Sequence, residues 1–396
     1  MTAGEAVRAE TRDAQGLSEE ERSVRDTVRQ WARSEVAPGA AERDEQERYD
    51  RGLFERAGEL GLAGLPYPEE VGGAGMGAFA SALALEEIGA ADMAMAVSLS
   101  VHFLAQLCIF ANGIEEQKQR FLPPMTAGRE LGAFALTEPQ AGSDAASLSL
   151  AARREGDDYL LSGTKIWITN AGEAARYIVF ATVDRSLGKA GITAFVVEAD
   201  TPGFRMGSKE RKMGIRGTTG YEIVFDGARV PAANRLGEEG EGLKVALSAL
   251  GAGRIGIAAA CTGLARNALD LAARYALERR QFDRAIADQE MIQAMLAEMA
   301  VSVDAARLLT WRAARMRDAG APVNVASSMA KWYASDAAMR VTTDAVQIYG
   351  GAGYSRDNPV ERLMRDAKGA QIYEGTNQIH RLIVAQGLLD GIRREG

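Results

Sequence analysis

The chain has 396 residues, with 46 Lys and Arg against 54 Asp and Glu, a formal charge of −8 and a hydrophobic share of 47%. At about 150 residues per domain the length holds two to three domains, and the composition is that of a folded globular protein rather than a disordered one. A negative chain without a basic block is poorly suited to nucleic acid, and its two cysteines and two histidines, Cys108, Cys261, His102 and His380, cannot build a disulfide framework, a Cys₄ zinc site or a histidine-rich metal centre. Acid–base chemistry therefore falls to a carboxylate.

Residues 1–16 are polar, lack the apolar segment of a signal peptide and are expected to form a flexible N-terminus. The compartment expected is a reducing cytoplasm. Ser18 followed by Glu21 is a capping box, Leu17 is placed to staple it, and Val24, Val28 and Trp31 recur at helical spacing until Pro38, which is expected to stop the run. Further helical patterns cover 50–61, 77–90, 92–112 and 114–121, and Pro123–Pro124 is expected to close this N-terminal helical domain, residues 17–129. Met93–Ile114 carries no charge and is long enough to span a bilayer. Its Ser, His, Gln and Asn residues and its acidic flanks favour a buried helix instead.

From 130 to 238 the pattern changes to short apolar runs, Tyr159–Leu161, Lys165–Thr169, Tyr177–Val183, Ile192–Val197 and Tyr221–Phe225, separated by turns. This spacing suits an antiparallel β-sandwich or barrel. Helical patterning returns for 239–396, with long helices expected over 242–279, 288–318 and 323–349, and Gly320-Ala321-Pro322 as the clearest helix–helix turn. The fold class is thus mainly α with a central β-domain, and strand–helix alternation of the parallel α/β kind is missing. Gly251-Ala252-Gly253-Arg254-Ile255-Gly256 fits a dinucleotide fingerprint, yet it lies inside a helical run without a preceding strand, so its glycines are read as helix-packing positions.

Three segments carry candidate chemistry. Thr137–Asp144, after the run Ala133–Leu136, is either a loop whose N–H groups and hydroxyls hold a phosphate or heterocycle edge, or a turn with Asp144 capping a short helix. In Lys165–Asn170, strand alternation would put Trp167 and Thr169 on one face, either as a wall for a flat heterocycle or as a sheet cover. In Ile372–Ile379, Thr376 starts a helix and leaves Glu374 on the loop before it. There it is either a solvated N-terminal Glu or, if Ile372 and Tyr373 desolvate it, a base tuned toward neutrality, since full burial raises a carboxyl by up to about 3–5 units while a helix N-terminus opposes this by less than about one.

Taken together, the chain resembles the acyl-CoA dehydrogenase family over nearly its whole length. Ala135-Leu136-Thr137-Glu138-x-x-Ala141-Gly142-Ser143-Asp144 resembles one family signature. Gln347-x-x-Gly350-Gly351-x-Gly353-Tyr354, continuing to Asp357, Arg362 and Asp366, resembles a second. Pro68-Glu69-Glu70 with Gly72-Gly73, Trp167-Ile168-Thr169, Lys212–Arg216 and Tyr373-Glu374-Gly375-Thr376 fall in the family's order. The resemblance decides the open readings of Trp167 and Glu374 in favour of function. It implies a C-terminal four-helix bundle, FAD, an acyl-CoA substrate of short or medium, straight or branched chain, and conversion to the trans-2-enoyl-CoA.

By that resemblance Glu374 takes the α proton, the β hydrogen leaves as hydride to flavin N5, and the Glu374 N–H with a flavin ribityl hydroxyl holds the thioester oxygen. Leu136, Thr137, Gly142, Ser143, Trp167, Ile168 and Thr169 would line FAD, with Thr376 and Gln378. Arg279, Gln281 and Phe282, and Gln347, Gly350 and Gly351, would reach it across a subunit interface in a homotetramer or dimer of dimers. Ser143, Arg254 and Gly375 would meet the substrate, and electrons would pass to an electron-transfer flavoprotein. No metal site is expected. Gly251, Glu290, Gln386 and Gly369 depart from the family's usual residues, and relatives that carry their base beside the Arg254 position have Glu where this chain has Gly253. Alternatives are a flavin oxidase or monooxygenase of the same fold, and a non-enzymatic flavoprotein scaffold.

Overall fold

The structure, a computed structural model, describes residues 16–395, so the segment 1–16 expected to be flexible lies outside the described residues except for Gly16. The N-terminal helices are α1 (Glu19–Trp31), α2 (Ala40–Glu45), α3 (Arg51–Glu59), α4 (Gly77–Ala91), α5 (Met93–Asn112) and α6 (Glu115–Thr126). Both halves of the Ser18–Glu21 capping box form, and Leu17 is buried. Pro38 does not end the helical run, whereas Pro123 and Pro124 lie within three residues of the end of the helical block. At Pro38 the chain relaxes through a π turn (Ala32–Val36) and a 3₁₀ turn (Ala37–Gly39), geometries that absorb a residue with no N–H, and then resumes as α2. Pro123 and Pro124 sit in the last turn of α6, where they lack donors but their carbonyls still accept from Ala127 and Arg129. α5 is the charge-free segment; it and α7 (Gly242–Glu278) are apolar and long enough to cross a membrane, yet 89% and 78% of their most apolar stretches are buried inside the protein.

The middle of the chain forms one eight-stranded sheet in the order β6 (Phe204–Lys209), β7 (Gly220–Pro231), β3 (Asp158–Thr169), β2 (Ala151–Glu155), β4 (Arg176–Thr182), β5 (Ile192–Glu198), β8 (Arg235–Leu236). Most pairs are antiparallel, but β1 (Gly132–Ala135) runs parallel to β4, and β2 meets β4 in parallel at Ala151 and Thr182. The long connection 136–150 allows this, since it returns the chain to the end of the sheet where β1 began. The runs 159–161 and 165–169 prove to be one strand, β3. A bulge between Lys165 and Ile168 on β3 breaks its alternation, so Ile166 and Ile168 do not share a face as strict alternation requires. Trp167 takes φ +60 there and projects outward.

The C-terminal helices are α7, α8 (Glu290–Asp318), α9 (Asn324–Tyr349), α10 (Val360–Ala370) and α11 (Asn377–Glu395). The glycine pattern of α7 is a packing device, as its helical context requires. A Cβ on Gly263 would stand 1.9 Å from the Glu86 carbonyl, and one on Gly89 2.5 Å from that of Ala260, so α4 and α7 cross backbone to backbone. Across the same crossing Arg266 pairs with Glu87 at 2.7 Å and Glu86 at 3.1 Å, Arg307 with Glu86 at 2.9 Å and Arg29 with Glu87 at 2.9 Å. The sheet docks on α10 at Gly214, whose Cβ would meet the Arg365 backbone at 2.4 Å, and through the Ile215 N–H, which donates to the buried Asp366 carboxylate.

Burial alone would raise the Glu87 carboxyl, but Arg266 and Arg29 beside it reverse that and hold it down at about 2. Arg266→Leu leaves two buried carboxylates short of a partner and should cost about 3–5 kcal/mol in urea unfolding at neutral pH. Because the folded pKa of Glu87 is depressed, its contribution is complete above the unfolded value of about 4.3 and is lost as pH falls toward 2. The gap between wild type and variant should close over that interval, and a constant gap would contradict the assignment.

Candidate active site

Three helices converge on the loop that carries Glu374. α10 ends where the Ile372 and Tyr373 N–H groups both return to the Gly369 carbonyl, at 2.9 and 3.1 Å. Glu374 (φ +54) and Gly375 (φ +90) then take successive left-handed conformations, and the Thr376 hydroxyl accepts from Ile379 N–H at 3.4 Å to start α11. A non-glycine residue at positive φ is strained by about 1–3 kcal/mol and persists only where its surroundings enforce it. The positive φ favours glycine at 375, and a Cβ there would also crowd the His380 ring at 3.2 Å.

The Glu374 residue is half-buried, yet both carboxylate oxygens are sealed from solvent and have no hydrogen-bond partner. Ile372 is 57% exposed and does not supply this dryness, contrary to the expectation from its position. The apolar wall comes from α5 and α7: a Cβ on Gly253 would lie 2.5 Å from Glu374 Oε2 and 2.7 Å from Leu104 Cδ1. Burial pushes the carboxyl up to about 7, against the downward pull of Lys331 and Arg254. Glycine at 253 is therefore the space into which the carboxylate fits. Gly369 plays a matching part for the neighbour, since a Cβ there would stand 3.1 Å from the Tyr373 ring.

Arg254 is buried on α7, and its guanidinium donates to Asn324 Oδ1 at 2.7 Å and Ser328 Oγ at 3.1 Å while its Nε keeps no partner. Lys331, wholly buried on α9, donates to the Gly375 carbonyl at 2.7 Å and to Asn377 Oδ1 at 3.2 Å. Sequence reading passed over Lys331, Asn324, Ser328, Leu104 and His380. A signal was present: Asn324, Ser328, Lys331 and Ser335 form a polar stripe at helical spacing on α9, the face that packs on the site.

The second surface is the sheet edge around Trp167, whose side chain is 58% exposed beside the half-buried Thr169. The Ile166 N–H donates to the Thr137 carbonyl at 3.0 Å, which brings the 137–144 loop alongside. Glu138 points away from this surface. It is buried against Lys165 at 2.7 Å and accepts from Leu150 N–H at 2.9 Å, while Gly142 and Ser143 are exposed at the rim beside Asp144, whose exposed carboxylate accepts from the Ser147 hydroxyl. Leu136 and Ile168 have buried side chains, so only their backbones are open to a ligand. An exposed indole flanked by hydroxyls and free loop amides fits a flat, phosphate-bearing cofactor.

Arg279, Gln281 and Phe282 lie elsewhere, at the end of α7 and on the hairpin β9 (Arg280–Gln281) and β10 (Arg284–Ala285), with Phe282 89% exposed at φ +53. Tyr275 stacks on Tyr349 with centroids 4.0 Å apart, so this hairpin shares one end of the bundle with the exposed Gln347, Gly350 and Gly351. No hydrogen bond or ion pair among the described residues joins this group to Trp167 or Glu374. Gln378 is exposed on the first turn of α11. Of the departures from family usage, Gln386 pairs with Asp390 at 2.6 Å on the surface of α11, and a Cβ on Gly251 would meet only open space.

Comparison with known proteins assigns the chain to a family. Family models for the N-terminal, middle and C-terminal domains of acyl-CoA dehydrogenase match residues 18–129, 133–228 and 240–389. The chain belongs to the acyl-CoA dehydrogenase family. It is 48% identical over 376 residues to an acyl-CoA dehydrogenase of Bacillus subtilis (strain 168), covering 95% of this chain and 99% of the relative. The solved butyryl-CoA dehydrogenase of Megasphaera elsdenii superposes with a TM-score of 0.93 at 43% identity, covering 94% of this chain and 99% of that one. A chain solved under the description electron transferring flavoprotein of Acidaminococcus fermentans gives 0.94 at 45% identity over 95% and 99%. This is therefore an FAD-dependent oxidoreductase acting on the CH–CH bond of acyl-CoA thioesters.

The space at Gly253 generates a sharp expectation. Gly253→Ala puts a methyl 2.5 Å from Glu374 Oε2 and should slow reduction of bound flavin by acyl-CoA about 10²-fold, the cost of misplacing a reacting group by roughly an ångström. Flavin content should stay unchanged, and stopped-flow absorbance under anaerobic conditions measures both.

Proposed function

We propose that the protein removes two hydrogens from a short-chain acyl-CoA with Glu374 as the base, giving the trans-2-enoyl-CoA. The observation that carries this reading is the Glu374 carboxylate, dry, unpartnered and pushed by burial to about 7. A carboxylate already stripped of water and hydrogen bonds is poised to accept a proton from carbon. The short-chain preference is supported by likeness to the butyryl-CoA dehydrogenase.

In this reading Glu374 abstracts the α proton, and its backbone N–H meets the thioester oxygen as negative charge develops there. The buried, charged Arg254 sets a positive field beside the base. When bound, FAD supplies the acceptor for the hydride that leaves the β carbon. Trp167 and Thr169 would face its ring system, Leu136, Thr137 and Ile168 would meet it largely through backbone, and Gly142 and Ser143 would hold its phosphates. Thr376 and Gln378 would reach it from α11. Ser143 and Gly375 would also border the substrate.

A homotetramer belongs to the same proposal. Arg279, Gln281, Phe282, Gln347, Gly350 and Gly351, all exposed and gathered at one end of the bundle, would complete a neighbour's FAD site. Electrons would leave to an electron-transfer flavoprotein, a partner supported by the likeness to the Acidaminococcus chain. A reducing, cytoplasmic setting accords with two buried free thiols.

Glu374→Gln should bind FAD normally but lose bleaching by butyryl-CoA by at least about 10²-fold, the scale of general-base catalysis. Undiminished bleaching would overturn the reading. In the wild type, kcat/KM should fall as pH drops through about 7, because the protonated carboxyl cannot accept the α proton. Assays with oxygen and with an artificial acceptor should strongly favour the artificial acceptor.

A further inference from the structure

Buried charge is costly, and Lys331 is a wholly buried lysine with no carboxylate in hydrogen-bond contact. It stands in the N-terminal third of α9, facing the loop that holds Glu374. Its ammonium bonds to two acceptors, the Gly375 carbonyl at 2.7 Å and Asn377 Oδ1 at 3.2 Å. Asn377 is held in turn by Ser335 Oγ at 2.9 Å and Asp336 at 2.8 Å. The grip falls on the residue that follows Glu374, at the end of the left-handed pair.

We propose that Lys331 is a positioning residue for proton abstraction: it clamps the strained Glu374–Gly375 turn through the Gly375 carbonyl and sets a buried cation against the Glu374 carboxylate. This rests on Glu374 being the base. The other groups around that carboxylate can be assigned from each packed element. From α7 come Arg254, already engaged by Asn324 and Ser328, and Cys261, whose thiol burial pushes up to about 12 and so keeps neutral. From α11 comes His380, which burial pushes down to about 3, so it is neutral as well. Tyr373 is raised well above its ordinary range by burial. Asp336 on α9 pairs with Arg381 at 3.1 Å.

Lys331 and Arg254 are thus the cations acting on Glu374, and Lys331 exerts the larger pull. Burial lowers Lys331 itself to about 8, which still leaves it mainly protonated at neutral pH. Clamp and charge work together. The carbonyl bond fixes where the carboxylate sits, while the charge keeps a desolvated carboxyl from being protonated at the pH where it must act as a base. Removing the charge must raise the Glu374 pKa, because a nearby cation favours the ionised form.

The test uses FAD-loaded wild type, Lys331→Met, Lys331→Gln, Lys331→Arg and Glu374→Gln. Two quantities are read: the acid limb of kcat/KM for butyryl-CoA with an artificial acceptor, and the infrared carboxyl band of Glu374 in substrate-free enzyme, identified by difference from Glu374→Gln. In Lys331→Met both should move up by about one pH unit or more, and Lys331→Arg should restore both. Lys331→Gln keeps a donor for Gly375 without the charge, so it should show the same shift, and it serves if Lys331→Met fails to hold flavin. A Glu374 band titrating at the wild-type pH in the uncharged variants overturns the proposal, whatever their turnover. If wild type is not reduced by butyryl-CoA, or Glu374→Gln is reduced as fast, the base assignment falls and this proposal with it. An unshifted band beside an inactive Glu374→Gln overturns only the role of Lys331.

Discussion

A carboxylate whose oxygens are closed off from both water and hydrogen bonds is one of the more expensive objects a protein can build, and the arrangement of the C-terminal bundle follows from holding one at Glu374. Three conditions must be met together. The pocket must be dry, which Leu104 and the bare backbone of Gly253 provide. The side chain must be aimed by a backbone that would not adopt its shape alone, hence the left-handed pair Glu374–Gly375. Cations must be near enough to limit protonation yet not pair with the carboxylate, and Arg254 and Lys331 satisfy this because their hydrogen bonds go to Asn324, Ser328, Asn377 and a backbone carbonyl.

These conditions explain why the helices must approach so closely. α7 passes α4 with backbone against backbone at Gly263 and Gly89, and this depth of packing brings residue 253 up to the loop from the other side of the bundle. The Glu86, Glu87, Arg266, Arg307 and Arg29 network fastens that crossing. The sheet is fixed to the same frame, because Gly214 lies on the α10 backbone and Asp366 accepts from Ile215 N–H just ahead of the Glu374 loop. The bulge that turns Trp167 outward and the turn that carries Glu374 therefore belong to two elements joined through α10.

Much of this was legible in the sequence, and the failures have particular causes. The helices from Gly242 onward could be read because their apolar spacing and Gly320-Ala321-Pro322 are local signals. Pro123–Pro124 marked the end of the helical block to within three residues, but Pro38 misled because a proline removes a donor without forbidding the next helical turn, and π and 3₁₀ geometry absorbed it. The bulge at Trp167 could not be seen from alternation, since it depends on the register against β7. Glu374 stood out in the sequence, but its dryness was credited to its chain neighbours Ile372 and Tyr373. Leu104 and Gly253, far away in sequence, supply the wall, and contacts of that kind leave no local trace. The α9 stripe that contains Lys331 did leave one, as four polar positions at helical spacing where an apolar stripe would otherwise be expected.

The acids with shifted pKa values differ in how their lone pairs are used. Glu87 is held at about 2 by Arg266 and Arg29, and Glu138 is lowered by Lys165 together with the backbone N–H groups of Ser149 and Leu150, so both are fixed anions that serve the frame. Asp366 is raised by burial to about 7, as Glu374 is, but its carboxylate is occupied by the Ile215 N–H and ties the sheet to α10. Glu374 combines a raised pKa with two oxygens that have nothing to accept from. The same functional group thus serves as strut or anchor where its lone pairs are used, and at Glu374 they are left unused, which is what the proposed base requires.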